Sequence, residues 1–154
     1  MIFDTHAHYD DEAFDGDRDE LLRSLPEHGI EAAVNVGASM ESTERTLKLT
    51  EEYPFLYGAV GVHPNETGSL TEGDMERLKE FCSRPKVVAV GEIGLDYYWD
   101  EPERDIQKKW FVRQLELARE VGLPVIIHSR DAAKDTLDII KGARGEEIGG
   151  VIHC

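Results

Sequence analysis

The sequence has 154 residues, of which 40% are hydrophobic and 32% are charged, a composition typical of a folded globular protein and not of a disordered chain. Its 17 basic and 32 acidic residues give a net charge of −15, which argues against sequence-independent binding of nucleic acid through a basic surface. A nucleic-acid substrate stays compatible with this charge, because bound metal ions supply local positive charge.

The apolar stretches of the chain are short. None approaches the roughly 18 apolar residues of a membrane span, and the first ten residues, which include Asp4 and Asp10, lack the apolar centre of a secretory leader. Cys82 and Cys154 fit no metal-binding or redox spacing, which indicates reduced thiols. We therefore expect one cytoplasmic domain over residues 1–154, without membrane contact.

Strand-like and helix-like stretches alternate along the chain. The predicted strands cover residues 1–5, 32–36, 58–62, 87–91, 124–127 and 149–152, and runs such as "VVAV" and "PVII" are typical of strands buried on both faces. The predicted helices cover residues 18–25, 41–52, 71–82, 101–121 and 131–141. Thr71 and Asp74 suit a helix start, Pro102 suits a first turn, and Gly122 suits a helix end.

This alternation predicts an α/β fold with a parallel sheet and crossover helices. Both an open doubly wound sheet and a (β/α) barrel satisfy the pattern. The first predicted strand is followed by no glycine-rich phosphate loop, which disfavours a dinucleotide-binding protein.

Polar side chains follow these strands at the point where each ends. The histidines at strand ends are His6, His8, His63, His128 and His153, and Glu92 ends the strand "KVVAVGE". The carboxyl ends of parallel strands meet on one face, and the two-residue spacing turns His6 and His8 the same way. His28 alone lies elsewhere, in the turn after the first helix.

Five imidazoles and one carboxylate in one region indicate a metal centre, because this donor set suits Zn²⁺, Mn²⁺ or Fe²⁺ better than Mg²⁺. Each signal taken alone has a simpler explanation. A single histidine at a strand end is commonly a hydrogen-bonded loop residue, and a glutamate there is commonly solvated. The joint placement favours the metal centre.

Five motifs resemble, in order and spacing, those of the TatD-family metal-dependent deoxyribonucleases of the amidohydrolase superfamily. They are "FDTHAHYD", "GVHPNE", "VAVGEIGLDYYWD", "LPVIIHSRDA" and "GGVIHC". The resemblance implies a (β/α)8 TIM-barrel fold, with about six of its eight βα units in this chain. It also implies two divalent metal ions (Zn, Mn, Mg or Fe) and hydrolysis of DNA phosphodiester bonds, often from the 3′ end.

The resemblance assigns roles to individual residues. His6 and His8 match ligands of one metal, Glu92 matches a carboxylate bridging both metals, and His128 and His153 match ligands of the second metal. His63 and Glu92 are the candidate catalytic residues, and His63 either steadies the phosphate or protonates the leaving oxygen. His63, Arg130 and Asp96 are the candidate substrate contacts.

Three neighbouring assignments stay open. Arg130 suits a phosphate contact and equally a surface ion pair with Asp131 or Asp135. Tyr97, Tyr98 and Trp99 suit stacking on a base and equally packing at the barrel mouth. Asp4 suits orientation of a histidine better than direct ligation.

Family members continue for about another hundred residues, in keeping with the ~250 residues of a complete barrel. Those residues carry a further aspartate ligand in an E-T-D-like motif, for which this chain offers no counterpart. We therefore expect an N-terminal portion of a protein that is monomeric at full length and takes DNA as its substrate. The alternatives are an amidohydrolase-like enzyme acting on a small amide, lactone or phosphoester, and a catalytically silent metal-binding fragment.

Overall fold

The computed structural model describes residues 2–154 and shows six strands in one sheet. The strands are β1 (Ile2–Ala7), β2 (Ile30–Val36), β3 (Leu56–Val60), β4 (Val87–Asp96), β5 (Val125–Arg130) and β6 (Gly150–His153). The helices are α1 (Arg18–Ser24), α2 (Met40–Glu52), α3 (Glu72–Cys82), α4 (Arg104–Val121), α5 (Ala133–Gly142) and α6 (Gly145–Ile148). Met1, with which the first predicted strand begins, lies outside the described residues.

The strands lie in the sheet in the order in which they occur in the chain. Each strand pairs in parallel with the next one, from β1 to β6. A doubly wound sheet reverses its strand order at a switch point, whereas a barrel keeps the order of the chain. The sheet is therefore a curled portion of a (β/α) barrel, which confirms the predicted fold class.

The helices cover the outer face of the sheet with apolar side chains. Phe111 and Leu115 of α4 pack with Ile93 of β4 in one buried cluster. Trp110 of the same helix packs with Met75 of α3 in another. The helical spacing of these residues along α4 places two of its faces in the core, because this helix packs against both the sheet and α3.

Several element boundaries differ from the predicted ones. β4 runs to Asp96 and β5 runs to Arg130, so Glu92 lies inside its strand and does not end it. The prediction that Pro102 occupies the first turn of a helix is wrong, because α4 begins at Arg104 with Glu103 as its N-cap. The short helix α6 and three 3-10 helices, at Glu12–Phe14, Leu25–His28 and Pro64–Ser69, were not predicted.

Two predicted helix ends are confirmed. Thr71 and Asp74 form a reciprocal capping box at the start of α3, in which each side chain accepts a backbone N–H of the other residue. Gly122 ends α4 in the left-handed conformation, at φ 71°. Across residues 2–154, none of the helices is long and apolar enough to cross a membrane.

Candidate metal centre

The carboxyl ends of the strands surround an open cavity of about 950 Å³. The residues of the predicted metal site all line it: His6, His8, Glu92, His128 and His153, together with His63. These side chains come from β1, the loop that follows it, the loop after β3, and strands β4, β5 and β6. The parallel sheet therefore brings to one place six side chains that lie up to 147 positions apart in the sequence.

Glu92 lies at the centre of this group and is only 3% exposed. Its Oε2 atom lies 3.3 Å from His8 Nε2 and 3.6 Å from His6 Nε2. Its Oε1 atom lies 3.1 Å from His128 Nδ1 and 2.6 Å from His153 Nε2. Each carboxylate oxygen thus faces a different pair of imidazoles, which is the arrangement of a carboxylate that bridges two cations.

The hydrogen bonds of two histidines fix which nitrogen faces Glu92 with a lone pair. His8 Nδ1 donates to the Val36 carbonyl oxygen over 2.8 Å, which leaves His8 Nε2 as an acceptor. His128 Nε2 lies 2.9 Å from Asp96 Oδ2, which leaves His128 Nδ1 as an acceptor toward Glu92. An acceptor nitrogen of a neutral ring that faces an anionic oxygen is stabilised by a cation between them, either a proton or a metal ion.

Unpartnered buried atoms support the same conclusion. His6 Nδ1 is buried and makes no hydrogen bond to a described residue, and the buried atoms His128 Nδ1 and His153 Nε2 approach Glu92 Oε1 without the geometry of a hydrogen bond. Such atoms cost free energy unless a ligand satisfies them. Two groups bring their potential ligand atoms within 4.8 Å of one another: His6, His8 and Glu92, and His63, Glu92 and His128. The residues present therefore fit divalent metal ions.

The close contacts between Glu92 and the imidazoles also shift the pKa values of these groups. Burial alone would raise the pKa of Glu92, but contacts with the imidazoles of His128, His6 and His8 hold the pKa of this carboxyl well below its usual range. In return, Glu92 raises the pKa of His8. Burial lowers the pKa of His128, but Glu92 and Asp96 outweigh it and raise the pKa. This negative centre attracts protons and, by the same field, divalent cations.

His63 lies beside the centre, with its ring centroid 4.4 Å from that of His128. Burial lowers the pKa of His63 to about 4, so its imidazole is neutral at neutral pH. His63 Nδ1 accepts a hydrogen bond of 3.3 Å from the Asn65 backbone N–H. The proton of the neutral ring is therefore on Nε2, where it is available to a ligand.

Asp96 lies behind His128, outside the cavity, although the sequence suggested a place in the substrate pocket. The residue is buried, and Oδ1 accepts the backbone N–H groups of Tyr98 and Trp99 over 3.0 and 3.1 Å. Oδ2 contacts His128 Nε2. This position suits a residue that orients the imidazole of His128. Asp4 has a similar position near His6, whose backbone N–H donates to Asp4 Oδ1 over 3.1 Å.

Two arginines lie near the cavity, and the sequence pointed to only one of them. Arg130 does not line the cavity, and its guanidinium lies 3.8 Å from the centroid of the Tyr98 ring. Arg45 of α2 does line it, and within residues 2–154 it is the only lysine or arginine that does so. No sequence pattern pointed to Arg45, because it lies inside a helix among other charged residues.

Comparisons with known proteins agree with this geometry. A family model described as "TatD related DNase" matches residues 3–154. The chain is 44% identical over 154 residues to the "Uncharacterized metal-dependent hydrolase YabD" of Bacillus subtilis, and the match covers 100% of this chain and 60% of that protein. It is 31% identical over 153 residues to the "3'-5' ssDNA/RNA exonuclease TatD" of Cronobacter turicensis, covering 99% of this chain and 58% of that protein.

The fold has a close counterpart among solved structures. The crystal structure of YjjV, a TatD homolog from Escherichia coli K12, superposes with a TM-score of 0.85 at 35% identity. That match covers 92% of this chain and 56% of the YjjV chain. The chain thus spans about 60% of the length of the curated relatives that it matches.

Proposed function

The chain belongs to the family of TatD-related DNases, and on this basis we propose that the protein is a metal-dependent phosphodiesterase that removes nucleotides from the 3′ end of DNA. The position of Glu92 carries this proposal. Its two oxygens face separate pairs of histidines, and a carboxylate so placed would suit two cations, one at each pair. Two-metal sites of this kind are common in nucleases and phosphatases.

The residues of the chain have distinct tasks in this proposal. His6 and His8 hold one ion, His128 and His153 hold the other, and Glu92 contacts both. Bound ions of this type activate water and neutralise charge on phosphate oxygens. His63 directs its Nε2–H at the substrate, because Nδ1 is occupied by the Asn65 N–H. Burial lowers the pKa of His63 to about 4 and keeps its ring neutral, and a neutral N–H suits a hydrogen bond to a phosphate oxygen better than transfer of a proton to the leaving group.

The relative named as an exonuclease supports the substrate class. The Cronobacter turicensis protein carries "3'-5' ssDNA/RNA exonuclease" in its name, and the chain matches 58% of its length. The cavity of about 950 Å³ is open and wide enough for a nucleotide at the end of a strand. The protein charge of −15 repels DNA, so we expect binding to depend on the metal ions.

The test is an assay of nucleotide release from single-stranded DNA labelled at the 3′ or the 5′ end, with Mn²⁺ or Mg²⁺. We expect label to leave the 3′ end first, and a chelator to abolish the release. Glu92→Gln should lower the rate by more than about 100-fold, the upper range for residues that only orient metal ligands. His28→Ala is the matched control, because His28 lies outside the cavity and bonds to the Ser24 backbone oxygen.

Two other outcomes would contradict the proposal. Turnover of a small ester or amide without nucleotide release would identify an amidohydrolase-like enzyme. Binding of a single metal ion in calorimetry, without any turnover, would identify a silent metal-binding chain. Two bound ions together with 3′ release are required for the proposal to stand.

A further inference from the structure

Two exposed aromatic side chains lie directly after β4, whose last residue, Asp96, contacts the candidate ligand His128. Tyr98 is 55% exposed and Trp99 is 65% exposed, and their rings meet edge to face with centroids 5.1 Å apart. Tyr97 differs from them, because its hydroxyl donates to Asp135 Oδ2 over 2.7 Å and Arg104 covers its ring. Tyr97 therefore packs the loop, whereas Tyr98 and Trp99 present large apolar surfaces to solvent.

The backbone of these two residues is held in place relative to His128. Asp96 Oδ1 accepts the backbone N–H groups of both residues, and Asp96 Oδ2 contacts His128 Nε2. One buried carboxylate thus ties the aromatic pair to a candidate metal ligand. A substrate held at the metal centre has its next nucleotides within reach of this pair.

Arg130 completes the surface. Its guanidinium stacks on the Tyr98 ring, yet within residues 2–154 it makes no hydrogen bond or ion pair. Every other arginine of the chain makes at least one such contact. Asp135, an acidic neighbour, is engaged by Lys108 and Tyr97 instead. A stacked guanidinium keeps its N–H donors free at the ring edge, where they suit phosphate oxygens.

We propose that Tyr98, Trp99 and Arg130 form a nucleotide-binding subsite, in which a base stacks on Trp99 and Arg130 contacts the adjoining phosphate. The proposal rests on the proposed function and adds how a nucleotide of the substrate is held. Stacking on an aromatic side chain requires a base that is unstacked from its neighbours, which single strands offer and duplexes do not. The subsite therefore selects single strands with little regard to sequence.

Tryptophan fluorescence tests this proposal directly, because the chain has two tryptophans in opposite environments. Trp99 is exposed, and Trp110 is only 4% exposed. The full protein with Mg²⁺ is titrated with a phosphorothioate-linked oligothymidylate, which resists hydrolysis. We expect the emission of Trp99 to be quenched on binding, and Trp99→Phe to show no quenching. Binding that leaves the Trp99 emission unchanged would overturn the proposal.

Removal of the base tests stacking independently of the fluorophore. We expect the protein to bind an abasic oligonucleotide about 5- to 150-fold more weakly than oligothymidylate, the range for loss of one stacked base. We expect Trp99→Ala to bind oligothymidylate more weakly than the native protein by a similar factor. This variant should bind oligothymidylate and the abasic oligonucleotide with equal affinity. Tyr57→Ala is the matched control, because Tyr57 is exposed on β3 with Lys86 over its ring. Equal affinity of the native protein for both oligonucleotides would refute stacking.

Salt dependence tests the part assigned to Arg130. Loss of one phosphate contact to single-stranded DNA should reduce the slope of log K against log salt by about 0.7. We expect this change in Arg130→Gln and not in Arg130→Lys, and an unchanged slope in Arg130→Gln would exclude the contact. Metal-dependent 3′ release without an effect of base removal would refute the subsite alone. Loss of all nucleotide release would refute the proposed function as well.

Discussion

At the scale of single residues, Glu92 links the two halves of the candidate metal centre. Removing its charge affects both pairs of histidines, whereas removing one histidine affects one pair. We expect Glu92→Gln to weaken binding of both ions in a Mn²⁺ titration by calorimetry. His153→Ala should weaken only one of the two, because His153 faces Oε1 alone. A uniform weakening of both ions in His153→Ala would contradict the assignment of separate sites.

Arg45 lines the cavity beside Asp10, and we predict from this position that it contacts the proposed substrate. Its Nε atom is buried without a hydrogen bond, and its Nη1 atom donates to Glu41 over 2.9 Å. We expect Arg45→Met to raise the KM for DNA about 10- to 150-fold, since a hydrogen bond to a charged group contributes roughly 1.5–3 kcal/mol. Arg23→Met is the control, because Arg23 pairs with Asp19 on the surface. An unchanged KM in Arg45→Met would leave Arg45 a purely structural role.

The candidate ligands were predictable from the sequence, whereas the surroundings of the site were not. His6, His8, His128 and His153 stand at strand ends, and parallel sheets gather such positions whatever the details of packing. The position of Asp96 behind His128 depends on the orientation of the Asp96 side chain, which strand periodicity does not predict. Arg45 approaches the cavity from α2, and the sequence of a charged helix does not show which of its charged side chains faces a site.

At the scale of elements, a buried polar network holds the loop after β1 against β2 and α2. Asn35 accepts the Tyr9 N–H through Oδ1 over 2.6 Å and donates to Asp10 Oδ1 over 2.8 Å. Ser42 donates to Asp10 Oδ2 over 2.6 Å, and Thr46 lies 2.7 Å from Asn35 Nδ2. Because Tyr9 and Asp10 directly follow His8, this network sets the position of that imidazole.

Asn35→Ala should therefore affect both stability and metal binding. It leaves buried partners unsatisfied, so we expect the free energy of unfolding to fall by about 1–3 kcal/mol. We also expect weaker binding of the ion held by His6 and His8. Thr50→Val on α2 is the control, because the Thr50 hydroxyl donates only to Leu47 of its own helix. Urea unfolding and Mn²⁺ titration of both variants separate the two effects, and equal metal affinity would exclude a positioning role.

The ends of the strands could not be predicted from local sequence patterns. The residues that extend β4 beyond its predicted end are Glu92, Ile93, Gly94, Leu95 and Asp96, of which three are poor strand formers. They are extended because β5 pairs with this segment from Ile93↔Ile127 to Asp96↔Arg130. Pairing with a distant strand thus overrides local propensity. The core of each strand was predictable from its apolar run, and its carboxyl end was not.

At the scale of the whole molecule, the sheet formed by residues 2–154 has two edge strands. Within these residues β1 and β6 each pair on one side only, and apolar side chains on both strands are exposed: Ile2, Phe3, Val151 and Ile152. Strand edges with free N–H and C=O groups and apolar side chains pair readily with another chain. The net charge of −15 opposes association over long distances but is screened by salt.

We therefore expect the 154-residue chain to self-associate in a manner that depends on concentration and increases with salt. A lysine on the edge strand should suppress this association, as charged side chains on natural edge strands do. Val151→Lys is the test, with Val151 48% exposed on β6, and Val112→Lys is the control, with Val112 37% exposed on α4. Both variants add the same charge, so only pairing at the edge distinguishes them. Sedimentation velocity over a range of concentrations measures the difference, and equal behaviour of the two variants would show that β6 does not mediate association.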